Sequence, residues 1–193
     1  TGKTYKEIKN NNLKIKDSQR YSFNKITEKS ILKYCGKSII FFSNIINKHS
    51  PDLVILLGDR YEIFTACCAA SLCRLPIGHI HGGEVTLSSL DEAFRHAISK
   101  MSHLHFTASQ EYQKRVIQMG ENPQNVFNVG GLGVDCIKQT SLYSKSFLEK
   151  KLNIKFLKKF VLVTYHPETL KKNSSKLNLK HLFEALSFMK DTT

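Results

Sequence analysis

The sequence predicts an α/β fold in which a parallel, doubly wound sheet alternates with helices. Short apolar runs bounded by turn residues recur along the chain, and most are followed by a stretch whose apolar residues have helical spacing. This alternation is typical of parallel strands joined by crossover helices. The chain has 193 residues, of which 41% are hydrophobic, and that is enough for an ordinary globular core.

Apolar spacing, length and flanking turn residues predict the elements in chain order. Residues 25–47 have the apolar spacing of an amphipathic helix, and the short apolar run at 53–57 is typical of a buried strand. Residues 62–73 are rich in small side chains, which suits a helix that lies close on a sheet. The same signals predict a strand at 77–80, a helix at 89–102, a strand at 104–107, a helix at 110–119, a strand at 126–129, a helical stretch at 147–152 and a strand at 160–164.

The ends of the chain and one lysine-rich segment suggest its domain organisation. The chain begins at Thr1 without a methionine and stops soon after Lys190 in a predicted unfinished helix, so we expect a fragment. The segment 138–159 has no strand signal and is predicted to connect two lobes. We expect residues 1–140 to form a Rossmann-like lobe and residues 141–193 to form a linker and the start of a second lobe.

Composition excludes several classes of protein. No apolar run approaches the roughly 20 residues needed to cross a bilayer, and no signal-peptide pattern opens the chain. Five cysteines form no C-x-x-C pair, which argues against disulfides or zinc and favours apolar core residues for all five. We therefore expect a soluble, cytoplasmic protein with no membrane partner.

The net charge of +13 suggests an anionic partner. However, 24 of the 29 basic residues are scattered lysines, and the five arginines form no cluster with aromatic side chains. Nucleic-acid readers more often combine arginines with exposed aromatic residues. We therefore expect no nucleic-acid partner and interpret most of this charge as solvated surface.

The segment 76–106 carries most of the candidate chemistry. It contains five of the eight histidines, a Gly-Gly turn and three carboxylates around one predicted strand-turn-helix unit. Ligands bind outside the carboxyl ends of strands in open parallel sheets. Asp59, the residues after position 80 and His166 all follow predicted strand ends, so we expect them to converge on one site.

Asp59 and Arg60 follow an apolar strand directly. A partly desolvated carboxylate at this place suits proton transfer, and the neighbouring guanidinium would hold that charge ionised or bind a phosphate bidentately. The alternative is that Asp59 only caps the helix that starts near Tyr61. The sequence leaves both interpretations open.

His79 and His81 alternate along one strand, and His103 and His105 repeat the spacing. Two H-x-H pairs suggest a metal site, but a closed site usually adds cysteine or carboxylate ligands at defined spacing. We therefore predict no metal. His81, which stands beside the glycine turn, is the histidine expected to face a ligand.

Gly82 and Gly83 permit a tight turn and a close approach of the backbone to a bound group, since glycine tolerates positive φ. We expect this turn and the adjoining Glu84 to line the binding site. His166 precedes Pro167 at the predicted mouth of a second sheet. It is either an ordinary surface histidine or an acid, base or phosphate ligand that faces the first lobe.

Ser89 is predicted to cap the helix that follows, with Glu92 reaching back from the third helical position. This capping box alone would explain Glu92. Four ionisable residues nevertheless lie within one and a half turns of this helix start: Asp91, Glu92, Arg95 and His96. A carboxylate beside a cation at a helix start is also suited to acid–base chemistry and phosphate binding.

Six motifs occur in order along the chain: GDRYE at 58–62, HIHGGEVT at 79–86, DEAFRHAISKMSHLHF at 91–106, RVIQMGE at 115–121, VGGLGVD at 129–135 and HPET at 166–169. Together they resemble the hydrolysing UDP-N-acetylglucosamine 2-epimerases of sialic acid biosynthesis. The resemblance extends to the close relatives that act on UDP-diacetylbacillosamine.

The resemblance implies a two-lobed fold like that of the B-type glycosyltransferases, with Rossmann-like sheets and a UDP-sugar in the cleft. The chain would then hold an incomplete N-terminal lobe, without its first strand, and only the start of a C-terminal UDP-binding lobe. Such a piece alone would be inactive, and we expect the complete protein to be a homo-oligomer. The implied reaction eliminates UDP by proton removal at carbon 2 and adds water to the resulting 2-acetamidoglucal, which yields N-acetylmannosamine without a cofactor.

The resemblance also assigns roles residue by residue. Asp59 matches the family's acidic residue after the glycine, and Asp91 and Glu92 match its acids at the helix start. Arg60 matches a phosphate-contacting arginine, and His166 matches a histidine near the UDP. The division of acid and base roles among the carboxylates stays open.

The chain departs from the family pattern at two places. Many members have a glutamate thought to be catalytic where this chain has His81, and residues 87–89 replace a more usual glycine-containing turn. A histidine also moves protons near neutral pH, so we include His81 among the catalytic residues. The remaining groups expected to bind the substrate or UDP are Arg60, Gly82, Gly83, Glu84, Arg95 and His96.

Three other interpretations remain. A non-hydrolysing 2-epimerase would keep UDP attached, but GDRYE and the RHAISK helix count against it. A noncatalytic sugar-nucleotide-binding module would be favoured if the complete gene lacked the upstream arginine turn. A basic nucleic-acid-binding domain would show binding that vanished with modest salt and ignored sugar nucleotides.

Overall fold

The computed structural model describes residues 5–21, 25–87, 89–166 and 175–193. The elements are α1 (Tyr5–Asn10), α2 (Glu28–His49), β1 (Val54–Leu57), α3 (Tyr61–Leu72), β2 (Ile77–Ile80), α4 (Asp91–Met101), β3 (Leu104–Thr107), α5 (Gln110–Gln118), a 3₁₀ turn (Pro123–Asn125), β4 (Val126–Asn128), α6 (Leu132–Gln139), α7 (Lys145–Leu152) and α8 (Ser175–Ser187). The predicted alternation is confirmed from α2 to β4, with bounds that shift by at most three residues.

The four strands form one parallel sheet in the order β1-β2-β3-β4. One row across the sheet consists of Leu56, His79, His105 and Val126. All four side chains are buried, so this row marks the covered face of the sheet. Because the strands are parallel, their carboxyl ends lie together at one end of the sheet.

Helix α3 lies against β1 and between α2 and α4. Its small side chains allow this close approach, which confirms the prediction made for this helix. The buried hydrophobic core consists of Ile46, Leu56, Ala66, Cys67, Ala69, Ala70, Ile77 and Ile98. The core thus lies between the sheet and the helices that cross over it, and it supports the carboxyl ends of β1 and β2 from below.

Helix α2 has a clear start and stop. Thr27 and Ser30 form a reciprocal capping box, in which Thr27 Oγ1 accepts from Ser30 N at 3.2 Å and Ser30 Oγ accepts from Thr27 N at 2.8 Å. Ser50 then adopts a left-handed conformation, with φ of 44°, and its N–H donates to Ile46 O. These caps satisfy backbone groups that a helix end leaves unpaired.

Two predictions near the C-terminus are wrong. Residues 160–164 form no strand, because the described part of the chain pairs this segment only with the C-terminus, through a bridge between Lys159 and Thr192 and a hydrogen bond from Val161 N to Thr193 O. Helix α8 ends at Ser187, so the predicted unfinished helix near Lys190 is also wrong. The helical stretch predicted at 147–152 is confirmed within α7.

All five cysteines are free thiols. Cys67 is buried as predicted, whereas Cys136 is exposed on α6, so the prediction of five core residues is wrong for Cys136. Within the described ranges, no helix combines the length and apolarity that a membrane span requires.

Candidate functional site

The carboxyl ends of β1 and β2 are joined by backbone hydrogen bonds just beyond the strands. Gly58 N donates to Ile80 O at 3.3 Å, and Gly58 adopts a φ of 91° that redirects the chain into Asp59. His81 N donates to Phe106 O of the next strand at 2.9 Å. The strand ends therefore bring Asp59 close to the loop that starts at His81.

Arg95 lies at the centre of the cluster that forms here. Its side chain is 4% exposed, and Nη2 donates to the Asp59 carboxylate and to Thr86 Oγ1 at 2.9 Å. Nη1 donates to Glu84 O at 2.8 Å and to Glu92 Oε2 at 3.0 Å. One buried guanidinium thus connects the end of β1, the following loop and the start of α4.

Glu92 does not close the predicted capping box. Helix α4 begins at Asp91 with Leu90 as its N-cap, and the side-chain oxygen of Ser89 accepts from Asp91 N at 3.2 Å. Glu92 Oε2 instead accepts from Thr86 N at 2.5 Å, because the loop folds back over the helix start and offers this N–H. Although burial opposes it, this backbone N–H and His96 lower the pKa of the Glu92 carboxyl.

His81 and Glu84 form a second, adjacent pair. His81 Nδ1 donates to Glu84 Oε1 at 2.5 Å, and the two side chains are 25% and 31% exposed. His81 has a φ of 66°, a left-handed conformation that is uncommon outside glycine and that accumulates at functional sites. The pair leaves Nε2 of a partly exposed imidazole for contact with a ligand.

The glycine turn packs against the protein itself. A Cβ on Gly82 would lie 2.8 Å from Ser99 Oγ, and one on Gly83 would lie 2.5 Å from the backbone oxygen of Tyr112. Arg115 Nη1 also donates to Gly83 O at 2.5 Å. The sides of the two glycines where a Cβ would stand therefore face α4 and α5, so the missing side chains let the loop that carries His81 and Glu84 pack closely against these helices.

Replacing Gly83 by alanine is expected to lower the free energy of unfolding by about 3 kcal/mol. The φ of 81° is strained for a residue with a Cβ, and that atom would overlap the backbone of α5. Gly36→Ala is the matched control, because a Cβ at that helical position meets no atom within 4 Å and is expected to stabilise by up to ~1 kcal/mol. Equal effects in urea titrations would contradict the packing assigned to Gly83.

His79 and His105 are structural residues of the covered face. His79 Nε2 donates to Gly58 O at 2.9 Å, and its Nδ1 accepts from Ser99 Oγ at 3.1 Å. His105 Nε2 donates to Glu121 Oε2 at 3.2 Å, while its buried Nδ1 has no hydrogen-bond partner among the residues that the structure describes. Burial lowers the pKa of both imidazoles, in the case of His79 to about 4. Both rings are therefore neutral at pH 7.

Acid is expected to destabilise the protein through His79. Its pKa falls from 6.5 to about 4 on folding, so its stabilising contribution is complete above pH 6.5 and is lost as the pH falls from 6.5 towards 4. The loss amounts to about 3 kcal/mol. His79→Gln should reduce this dependence of the free energy of unfolding on pH, measured by chemical denaturation. A substitution at the exposed His181 is the control and should leave the dependence unchanged. The same pH dependence in His79→Gln as in the wild type would contradict the role assigned to His79.

The other predicted groups lie around the cluster. Burial and the nearby Asp59 raise the pKa of the Asp91 carboxyl, and no hydrogen bond or ion pair holds this carboxylate within the part of the chain that the structure describes. His96 Nε2 contacts Glu92 Oε1 at 3.3 Å. Arg60 is 64% exposed, pairs with Glu62 and lies over the Tyr61 ring, so its guanidinium remains accessible beside Asp59.

His166 is not brought to this cluster. It is exposed in the coil after residue 160, and no hydrogen bond or ion pair among the described residues joins it to Arg95 or its partners. Residues 167–169 of the HPET motif and Ser88 of the predicted loop change lie outside the described residues. The sequence analysis also missed Thr86 and Arg115, although both lie within the motifs. Neither residue type by itself indicates that its side chain holds a loop in place.

The cluster combines groups suited to proton transfer at one sheet end. Asp59 and Glu92 are held by Arg95, Asp91 is a less constrained carboxylate, and a carboxylate orients the His81 ring. No group of three or more His, Cys, Asp or Glu side chains with metal-binding geometry occurs among the described residues. The arrangement fits acid–base chemistry on a ligand bound beyond the strands.

Comparison with known proteins identifies the family. The family model described as UDP-N-acetylglucosamine 2-epimerase matches residues 1–193. The chain is 41% identical over 191 residues to the polysialic acid biosynthesis protein P7 of Escherichia coli. This match covers 99% of this chain and 49% of that protein. It is 38% identical over 192 residues to the GDP/UDP-N,N'-diacetylbacillosamine 2-epimerase (hydrolyzing) of Campylobacter jejuni, with coverages of 100% and 50%.

Solved structures show the same fold. The UDP complex of S. aureus MnaA matches with a TM-score of 0.73 at 22% identity over 96% of this chain and 49% of that chain. The Neisseria meningitidis UDP-GlcNAc 2-epimerase bound to UDP-GlcNAc matches with a TM-score of 0.72 at 18% identity, with coverages of 94% and 51%. The chain thus has a glycosyltransferase-B-like α/β fold and spans about half the length of the curated relatives it matches. The family model matches this chain along all of its 193 residues, and together with relatives at 41% and 38% identity this shows that the chain belongs to the UDP-N-acetylglucosamine 2-epimerase family.

Proposed function

We propose that the complete protein is a hydrolysing 2-epimerase that converts a UDP-sugar and water into UDP and the free 2-epimeric sugar. The observation that carries this proposal is the cluster of carboxylates and His81 at the joined ends of β1 and β2, held by the buried Arg95. The name of the C. jejuni relative, a hydrolyzing 2-epimerase at 38% identity, supports it. Two structural neighbours, one bound to UDP and the other to UDP-GlcNAc, support a UDP-sugar substrate.

The reaction consists of two steps. In the first, a base takes the proton from carbon 2 and the bond between carbon 1 and the phosphate oxygen breaks, which releases UDP and leaves a double bond between the two carbons. In the second, water supplies a hydroxyl to carbon 1 and a proton returns to carbon 2 from the opposite face. Two proton-transfer groups on opposite sides of the sugar are therefore required.

The geometry favours His81 and Asp91 as these two proton-transfer groups. His81 is oriented through Nδ1 by Glu84 and keeps Nε2 available. Asp91 has a raised pKa and is not tied to Arg95, so it is suited to hold and release a proton. Asp59 and Glu92, which are held by the guanidinium, supply fixed negative charge beside the sugar, and Arg60 is placed to contact a phosphate.

The sugar is proposed to be UDP-N-acetylglucosamine, with N-acetylmannosamine as the product. The name of the P7 relative, which refers to polysialic acid biosynthesis, supports this choice. UDP-diacetylbacillosamine is the second candidate, supported by the name of the C. jejuni relative and by that of a Legionella pneumophila relative at 34% identity. Both substrates use the same chemistry at carbon 2.

The domain organisation is part of the proposal. Residues 1–140 would belong to the N-terminal lobe and residues 141–193 to a linker and the start of the UDP-binding lobe, where His166 would face the cleft. The buried core between Ile46 and Val126 supports this division, as does the absence of buried side chains in α6 and α7. We further propose a cytoplasmic homo-oligomer that binds no nucleic acid.

Proton NMR of the complete protein with each UDP-sugar in deuterated water tests the function. Free UDP with N-acetylmannosamine deuterated at carbon 2 is the expected result. UDP-N-acetylmannosamine would instead indicate a non-hydrolysing enzyme. Turnover of only the bacillosamine derivative would assign the second substrate, and binding of both sugars without turnover would overturn the enzyme assignment.

A further inference from the structure

We infer that Arg95 is a positioning residue, which locks the Asp59 and Glu92 carboxylates and the loop between them into one arrangement and does not itself contact the UDP-sugar. This inference rests on the proposed function and deepens it, because it assigns a role to the group that connects every part of the site. It replaces the ligand-binding role that sequence alone suggested for this arginine.

The first observation is that the donors of Arg95 are already occupied. A guanidinium has five N–H donors, and four of them are directed at Asp59, Thr86, the Glu84 carbonyl oxygen and Glu92. The side chain is 4% exposed. Only Nε–H is left, so a phosphate could bind this group through two donors only if at least one of these internal contacts were broken.

The second observation is that these four acceptors come from three separate elements. Asp59 follows β1, Glu84 and Thr86 belong to the loop after β2, and Glu92 lies in the first turn of α4. The loop and α4 are joined again by the hydrogen bond from Thr86 N to Glu92 Oε2. Removing the guanidinium would therefore break contacts to three elements at once. It would also affect the His81–Glu84 pair, because this pair lies on the same loop.

The third observation concerns geometry. The planar fork of an arginine can address two carboxylates and two further acceptors in fixed directions, whereas a lysine ammonium is a single point charge with three donors. Arg95→Lys consequently keeps the positive charge and loses the bridging geometry. Since a misplacement of about 1 Å at a reacting centre can reduce the rate about 100-fold, this conservative change is the informative variant.

The test uses the complete protein and compares Arg95→Lys with Arg74→Lys, a change at an exposed arginine outside the site. We expect Arg95→Lys to lower kcat about 100-fold and to leave KM and the Kd for UDP within about threefold, with Arg74→Lys unchanged. In the Asp59→Asn background, Arg95→Lys should reduce kcat by less than about threefold further, because the two residues act as one unit.

Two results would overturn the inference. A Kd for UDP raised tenfold or more with unchanged kcat would make Arg95 a ligand contact, and full additivity with Asp59→Asn would uncouple the two residues. If the wild-type protein releases no UDP from either sugar, the proposed function fails separately. The positioning role is then decided by urea midpoints of the same single and double variants, in which additive shifts would reject it.

Discussion

Asp59→Asn is expected to lower the turnover of the complete enzyme by about 10³-fold, with little change in fold. Asparagine matches the shape of the aspartate and still offers an oxygen to Arg95, but it removes the negative charge at the end of β1. Removal of one preorganised electrostatic group that faces a reacting centre typically reduces kcat 10²- to 10³-fold. The measurement is kcat for UDP release, together with circular dichroism to verify the fold.

Asp52→Asn provides the matched control for this prediction. Asp52 is exposed at the opposite end of the same strand, so its neutralisation changes the net charge equally without touching the cluster. We expect wild-type turnover from that variant. Near-normal turnover in Asp59→Asn would remove Asp59 from the mechanism and leave it as the end of a buried ion pair.

His81→Asn is expected to reduce kcat by about 10³-fold, and Glu84→Gln by about 10²-fold. Asparagine tolerates the left-handed backbone that His81 adopts, so the variant isolates the loss of the imidazole from backbone strain. Glutamine at position 84 keeps an acceptor for Nδ1 but no longer stabilises the charged ring that proton transfer creates. The double variant should be no slower than His81→Asn alone, because Glu84 acts through the histidine.

Two further variants define this pair. Glu111→Gln is the control. Glu111 is a 74% exposed acid that pairs with Arg115 near the site, and it takes no part in the proposed chemistry. His81→Glu introduces the carboxylate that the family resemblance implies at this position and is expected to retain measurable turnover. Additive losses in the His81 and Glu84 double variant would show that the two residues work independently.

The fold was predictable from the sequence because each element had a local signal. The 53–57 run and the small-residue stretch at 62–73 predicted β1 and α3 with shifts of one residue, since the signals for both elements are local. The predicted burial of β1 was wrong for one face, because Ile55 and Leu57 are about half exposed. The strand predicted at 160–164 failed because an apolar run becomes a strand only when another strand is beside it. That partner depends on tertiary contacts, and among the described residues only 192 and 193 provide them.

The candidate site was predictable as a location and only partly as an arrangement. Asp59, His81 and the acids at the start of α4 were placed together because parallel strand ends share one end of the sheet. The predicted hydrogen-bond donor to the Glu92 carboxylate was wrong. This carboxylate accepts from the backbone N–H of Thr86, in a loop that folds back, and not from that of Ser89. The packing of the glycine turn on Ser99 and Tyr112 was not predicted, whereas its contact with a ligand stays a prediction.

The sequence by itself determined the alternation of strands and helices, the family and the set of ionisable groups at the strand ends, since these follow from local pattern and from residue identity. Only the tertiary structure decided which of those groups are buried and which are available. Arg95 and His79 are as polar as Arg60 and His81 in the sequence. The first two are enclosed and hydrogen-bonded to protein partners, while the latter two remain partly exposed. Burial is a sum of contacts from distant segments, so it distinguishes positioning residues from candidate reacting ones only after the chain has folded.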